Sequence, residues 1–314
     1  MPTLTMPTRD YGLMLHMKKT VSQLNDDIAI EYPSFENILV AARKMVRELA
    51  FDICEMPTTT YICAKAYGKK MTAIPVFLTR NFHHGAIFYD TEAGIRSPKD
   101  LEGRTVGVNR GYTVTTGVWA RCVLKEEYGV DLDKVRWAAT DDEHVAEFKL
   151  PPCADYDYKG RDMADLFKSG DIVAAVGAVG ANLPTVKPLI PDATAAGFAS
   201  YRKTGVFPVN HTVVVRDELL AKYPTLAAGL FRALAASKKD YLDRLDRNAG
   251  NLSAEDRLTV ELERGVDGDP FPYGVPSNRK ALEALARTAY DQHITPRAYS
   301  MEELFAKGTL DLVG

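Results

Sequence analysis

Residues 96–124 read RSPKDLEGRTVGVNRGYTVTTGVWARCVL: a solvated turn, a short strand, then a helix that opens on a cluster of threonines. A strand that turns sharply into a helix leaves free backbone N–H groups and the positive end of a dipole at the turn, which suits an anionic ligand. The same alternation extends outward in both directions. Upstream, DDIAIEY (26–32) reads as a strand, FENILVAARKMVREL (35–49) as an amphipathic helix and AFDIC (50–54) as a short buried strand. A helix from Pro57 to Tyr67 follows, with proline where its missing N–H costs nothing. MTAIPVF (71–77) and HHGAIFY (83–89) read as consecutive strands.

The polar segment TEAGIRSPKDLEG (91–103) is the first break in composition. Beyond it come RTVGVN, a helix from about Thr113 to Tyr128, VRWAA, the helix RDMADLFKSG and the strand DIVAAVG. A second break, YRKTGVFPVNH (201–211), leads into the strand HTVVV and a mostly helical remainder. Alternating strands and helices predict an α/β protein with mostly parallel sheets. The order predicts a first lobe from 1–98 and 207–314 with a second lobe, 99–206, inserted into it. A ligand cleft between the lobes is expected beyond the strand C-termini.

Composition limits the functions open to this chain. Its 314 residues carry a formal net charge of −3, which gives no basic footprint for nucleic acid. No run approaches the length of a membrane span. The start, MPTLTMPTRDYGLMLHMKK, lacks the apolar run of a secretory signal and leads into an apparent first strand, LTM, so a cytoplasmic protein is expected. Cys54, Cys63, Cys122 and Cys153 show no C-x-x-C spacing and read as buried, inert thiols. No metal-binding, nucleotide-binding or serine-hydrolase motif is present in the sequence.

Four places hold residues that can do chemistry. In CEMPTTTY (54–61), Glu55 ends a strand, and Thr58, Thr59 and Thr60 begin the next helix; threonine there also serves as a simple cap. In TRNFHHGAIF (79–88), Arg80 can grip a carboxylate bidentately and His83 or His84 can move a proton near neutral pH. Arg80 and His84, four apart on one expected strand, would emerge on the same face, and a surface histidine beside a packed one is the plainer alternative. In GYTVTTGVW (111–119), Gly111 allows close approach, Tyr112 offers an aromatic face and a hydroxyl, and the stretch from Thr113 through Thr115 to Thr116 opens the helix. His211 follows the second break between apolar residues, as structural histidines often do.

The chain resembles the 4,5-dihydroxyphthalate decarboxylase family, relatives of type 2 periplasmic solute-binding proteins. The resemblance is carried by FDICEMPTTTYICAKAYGKKMTAIPVF, Arg80–His84, DLEGRTVGV, YTVTTGVWARCVLKEEYGVD, TGVFPVNHTVVVR and PYGVPSNRKALE, in register over residues 48–306. It implies a two-lobed type 2 periplasmic-binding-protein-like fold and decarboxylation of a dihydroxylated aromatic dicarboxylate to a protocatechuate-like product without a cofactor or metal. The implied partner is a small aromatic carboxylate, with no nucleic acid and no membrane, and a homo-oligomer is left open. Glu55, Arg80, His84, Tyr112, Thr115 and His211 carry over as expected cleft residues. By our reading of their chemistry, Arg80 and the threonine-rich helix starts (Thr58, Thr59, Thr113, Thr115) bind carboxylates, His84 or His211 donates the proton, and Glu55 orients a hydroxyl or a histidine.

The sequence also departs from the family. Tyr11-Gly12-Leu13 stands where the family has Tyr-Asp-Arg, His83 replaces an arginine, Gly85 a serine and Asn210 an apolar residue. Fewer cations around a dianion leave a ligand with a single carboxylate as an alternative. A solute-binding protein for a small anionic aromatic, and another enzyme on the same scaffold acting on menaquinone-pathway or thiamine-pathway intermediates, are the other readings.

Overall fold

The computed structural model describes the chain except residues 1, 11, 25–27, 36, 178–181, 248–249 and 267, and the side chains of 246 and 247. Tyr11 and the first two residues of the expected 26–32 strand therefore lie outside the described residues.

The chain begins with β1 (Thr3–Thr5), α1 (Gly12–Thr20), β2 (Gln23–Leu24) and β3 (Ile28–Glu31). Next come α2 (Ile38–Glu48), β4 (Ile53–Pro57), α3 (Thr58–Ala66), β5 (Met71–Arg80) and β6 (Ile87–Asp90). They are followed by β7 (Thr105–Val108), α4 (Thr115–Tyr128), β8 (Arg136–Ala139) and β9 (Ala154–Asp155). After them lie α5 (Met163–Lys168), β10 (Ala174–Val176), β11 (Val186–Pro188), α6 (Ala193–Thr204) and β12 (Val209–Arg216). The rest is helical: α7 (Asp217–Lys222), α8 (Leu226–Arg247), α9 (Ala254–Val266), α10 (Val275–Asp291) and α11 (Met301–Leu304).

Two compact units result: residues 1–80, 209–283 and 299–314 form the first, and 81–208 with 284–298 the second. In the first unit, β1 pairs parallel and β2 antiparallel with β3. Beside that small sheet, the fully apolar stretch Val213–Val215 makes β12 a central strand, flanked antiparallel by β4 and β5. Mostly parallel pairing was expected in both lobes; here the main sheet of the first unit is antiparallel, because β12, more than a hundred residues after β5, returns to fill the gap between β4 and β5. Pro75 is tolerated because β5 is an edge strand of this sheet. The core beneath it runs from Leu4, Met14 and Met17 through Ile53, Ile74 and Val213 to Leu230, Phe231 and Tyr273.

The second unit holds a six-stranded mixed sheet in the order β11-β6-β10-β7-β8-β9. Within it β10, β7, β8 and β9 run parallel, and β6 runs antiparallel to both β10 and β11. Residues 81–98 were expected to belong to the first lobe; β6 instead pairs inside this second sheet.

The chain also does not continue as a strand from Arg80 to His84. After Arg80 it leaves β5, and His84 opens a single 3-10 turn, His84–Ala86. Phe82 is the physical reason: it packs edge-on against Phe198 at 5.0 Å and beside Phe207 at 5.1 Å, in a space kept open by Gly197. The same-face argument for Arg80 and His84 therefore fails. In the turn both His83 and His84 are buried, contrary to the alternation expected of a strand. Tyr112 and Thr113 likewise precede α4, which begins at Thr115 with Val114 as its N-cap.

A candidate active site in the first unit and an anion cradle in the second

One end of the β4–β12–β5 sheet gathers the polar residues of the first unit. His211 pairs with Pro57 on β4 and with Thr79 on β5, and Val209 pairs with Arg80. The β12–β5 register slips between Val209 and Val213, and such bulges re-aim side chains at sheet ends. Glu55, entirely buried, accepts a hydrogen bond at 2.7 Å between its Oε1 and Nδ1 of His211, which is 6% exposed. Arg9 comes in from the loop after β1. Its backbone N–H donates to Glu55 Oε2 at 2.9 Å and its Nε to Oε1 at 2.8 Å. Its Nη2 lies 2.8 Å from Nδ1 and 3.1 Å from Nε2 of His211, and 3.4 Å from Thr79 Oγ1.

Burial alone would raise the Glu55 carboxyl. The hydrogen bond from His211, the charges of Arg9 and His211, and the Arg9 backbone N–H outweigh it and hold the carboxyl down to about 2. Glu55 is therefore a fixed anion that locks an imidazole. Of the two roles expected for it, it contacts the histidine.

Thr58 donates to the Asn210 carbonyl at 3.1 Å, so its hydroxyl ties α3 to β12, and Thr59 is fully buried beside it. Arg80, at the end of β5, is 5% exposed and donates through Nη1 to Asn278 Oδ1 at 2.5 Å. The structure thus brings together Glu55, Thr58, Arg80 and His211, and adds Arg9. Sequence reading missed Arg9, which stood only within a start that lacks a secretory signal's apolar run. The available signal was a lone arginine in a loop just after the first strand, which needs a partner if it is not solvated.

The other expected residues lie in the second unit. Past β7, Arg110 adopts a left-handed φ of 75°, and the next N–H groups converge on the carboxylate of Glu143. Thr113 donates to Glu143 Oε2 through its backbone N–H at 3.0 Å and through its hydroxyl at 2.5 Å, and the Tyr112 N–H donates to Oε1. A Cβ on Gly111 would stand 2.9 Å from that carboxylate, so glycine is what lets the two approach. Burial raises the Glu143 carboxyl against these hydrogen bonds and the charge of Arg121.

Tyr112 is a core residue here and not an open aromatic platform: the Arg121 guanidinium carbon sits 3.9 Å from its ring centroid, and Phe148 stacks at 6.5 Å. Thr115 is buried in the first turn of α4. Arg121, on the body of α4, is wholly buried; it donates to the Tyr112 carbonyl at 2.6 Å and to Gln292 at 2.8 Å.

His84 pairs with Glu127 at 3.0 Å, and Ser200 donates to the same carboxylate at 2.8 Å. Burial would raise the Glu127 carboxyl, but the hydrogen bonds from His84 and Ser200 hold it below its usual range. His83 stacks on Trp119 with a 4° interplanar angle; burial, and then the neighbouring His84, push it down to about 3, so it is neutral. Glu127 falls twelve positions after Thr115, about 18 Å along α4, which sets the His84 pair toward the opposite end of that helix from the Glu143 cradle.

All four cysteines are free, Cys54 and Cys63 buried, Cys122 and Cys153 only partly so. Among the described residues, no group of histidine, cysteine and acidic side chains could hold a metal ion, and no helix is long and apolar enough to cross a membrane.

Comparison with known proteins places this geometry. Residues 36–149 match a family model described as NMT1/THI5 like. The chain is 30% identical over 282 residues to a 4,5-dihydroxyphthalate decarboxylase of Comamonas testosteroni, covering 84% of this chain and 85% of that protein. Among solved structures, it resembles the periplasmic aliphatic sulphonate binding protein SsuA of Escherichia coli with a TM-score of 0.57 at 11% identity, over 99% of this chain and 94% of the other. A Candida albicans protein described as exhibiting the generic periplasmic binding protein structural fold matches with a TM-score of 0.55 at 15% identity, over 100% and 99% of the two chains. The chain therefore has the periplasmic-binding-protein type of fold.

Proposed function

We propose that this chain, which belongs to the 4,5-dihydroxyphthalate decarboxylase family, is a carboxy-lyase that releases CO2 from a hydroxylated aromatic carboxylate or dicarboxylate, a dicarboxylate leaving a protocatechuate-like product. The observation that carries the reading is the buried Glu55–His211–Arg9 cluster at one end of the first unit's sheet.

The chemistry asks for three things. A ring carbon that bears a carboxylate para to a phenol must receive a proton, the phenolic oxygen must delocalise the resulting positive charge, and the carboxylate must be held while its bond to the ring breaks. The electron pair of that bond returns to the ring, restores aromaticity and frees CO2. In this reading His211 supplies the proton and regains one from solvent after each turnover, while Glu55 fixes the imidazole and balances its charge. Arg9, the more exposed arginine at this end with 22% of its side chain accessible, takes the substrate carboxylate, backed by Arg80. His84, held by Glu127 far along α4, has a packing role. A cytoplasmic setting is part of the proposal, supported by the four free thiols.

CO2 release and ultraviolet spectra across a panel of hydroxylated benzoates and phthalates test the reading. Turnover is expected where a carboxylate stands para to a hydroxyl. Tight binding across the panel with no CO2 from any member would make the chain a receptor for anionic aromatics instead.

A further inference from the structure

Charge at the end of the first unit's sheet is not matched one for one. Glu55 is a buried anion, Arg9 is a permanent cation on it, and His211 adds a second cation whenever its imidazole is protonated. Glu55 is ionised and has no proton to give, so its 2.7 Å contact with His211 requires the hydrogen on Nδ1, donated to Oε1. In the neutral ring Nε2 then carries the lone pair, and Arg9 Nη2 lies 3.1 Å from it as a donor. Nη2 is also 2.8 Å from Nδ1, but that nitrogen has no lone pair to offer.

A proton on Nε2 would set one N–H donor against another, and two cations against one buried carboxylate. Like charge at this range disfavours the protonated form. The other neighbours do not offset it. β5 brings the uncharged Thr79 hydroxyl, 3.4 Å from Arg9 Nη2, and ends at Arg80, a further cation, in register with Val209. α3 begins at the uncharged Thr58. The ring that has to deliver a proton is therefore kept without one by the arginine that lies on it.

Arg9 is also placed to leave. The backbone around it is pinned: the Glu55 N–H donates to the Pro7 carbonyl at 3.1 Å, Lys18 donates to the Thr8 carbonyl at 3.0 Å, and the Arg9 N–H donates to Glu55 at 2.9 Å. Its side chain is 22% accessible, against none for Glu55 and 8% for His211. Rotation of the side chain alone can carry the guanidinium to a carboxylate arriving from solvent.

We propose that Arg9 gates the general acid: a substrate carboxylate draws its guanidinium off the His211 ring, and the freed Nε2 takes a proton from solvent, so that binding loads the proton the reaction uses. The inference rests on the carboxy-lyase reading of this site and adds the step that readies its acid. Arg9 stays protonated throughout. One solvent proton goes to Nε2 on binding and from there to the ring carbon. The bond to the carboxylate then breaks with its electron pair returning to the ring, and CO2 leaves with Nε2 again carrying a lone pair.

Proton uptake on binding tests the gate without turnover. Benzoate is the probe, since it has the carboxylate and lacks the hydroxyl that decarboxylation needs. Calorimetry near neutral pH in phosphate and in Tris, buffers of different ionisation heat, reads the protons taken up with each benzoate bound. Wild type is expected to take up a large fraction of one proton, and His211→Gln none. Imidazole NMR on the unliganded proteins is the second measurement. In Arg9→Met, which removes the cation and keeps an unbranched side chain, the His211 titration midpoint is expected about one pH unit or more above that of wild type.

Benzoate binding with no proton taken up, equal uptake in wild type and His211→Gln, or an equal His211 midpoint in wild type and Arg9→Met overturns the proposal. Undiminished uptake in Arg9→Met does so too, because the charge of the carboxylate itself would then be the cause. If Arg9→Met does not fold, the comparison of wild type with His211→Gln decides. No benzoate binding by wild type counts against the gate, since the guanidinium then attracts no carboxylate. Failure of the carboxy-lyase reading looks different: no CO2 from any panel member, with proton uptake on benzoate intact.

Discussion

Glu55 shows how much one buried carboxylate can hold together. It sits on β4 with no solvent access, and its two oxygens receive Arg9 twice and His211 once. Burial works against its charge, yet the partners hold it at about 2, well below the ordinary glutamate value near 4.5. A carboxyl lowered in the folded state stabilises the fold above its unfolded value, and that stabilisation is lost as pH falls through the folded value. Here the contribution is about 3 kcal/mol at neutral pH and disappears between roughly pH 4.5 and pH 2. Glu55→Gln should therefore be less stable than wild type in urea at pH 6, with a gap that narrows steadily as the pH is lowered toward 3. A gap of constant size over that range would mean that the charge of Glu55 contributes nothing to folding.

At the scale of elements, the regular parts of the chain were legible and the irregular ones were not. α2 could be read because its apolar positions Ile38, Ala41, Ala42, Met45 and Val46 recur at helical spacing behind an Asn37 cap. β12 could be read because its apolar run is continuous. Glu55 and His211 were found because each stands beside a break in the apolar pattern, Glu55 just before the proline and threonines that open α3 and His211 just after the polar segment 201–211. Arg9 and Glu143 were not, since each lies in a loop and gains its meaning only from a partner 46 or about 30 residues away. Periodicity could not show the turn after Arg80 either, because Phe82 is drawn off the strand by aromatic residues more than a hundred positions later.

The PYG stretch before α10 is a further case of long-range constraint. Gly274 has φ of 98°, donates to the Pro75 carbonyl at 2.8 Å, and would bring a Cβ within 2.1 Å of the Leu312 carbonyl oxygen. Tyr273 beside it donates to Gly314 at 2.7 Å, so the end of the chain is fastened onto this turn. Gly274→Ala should lose about 2–4 kcal/mol from backbone strain and overpacking together, read as a lower denaturant midpoint with the slope preserved. A variant as stable as wild type would show that the last residues are not packed there.

Across the whole molecule, each unit holds a buried histidine paired with a glutamate, His211 with Glu55 in the first and His84 with Glu127 in the second, and the two pairs differ in what surrounds them. Glu55 is fully buried and shared between His211 and Arg9, at the end of a sheet where a helix also begins. Glu127 keeps 30% of its side chain exposed and takes a second hydrogen bond from the Ser200 hydroxyl. A general acid that works through a fixed partner fails as a unit, so removing the second member of the pair adds little once the first is gone. His211→Gln should lower turnover by roughly 100-fold or more, the usual scale for a lost general acid, and adding Glu55→Gln to it should change turnover little further. His84→Gln should keep turnover within about threefold of wild type while lowering the melting temperature, since it breaks a contact that fastens a turn to α4. Steady-state CO2 release and melting curves on the same four proteins separate the cases. A dead His84→Gln beside an active His211→Gln would move proton donation to the second unit and leave Glu55 as a structural anion. Full activity in both histidine variants would remove histidine from the proton step altogether.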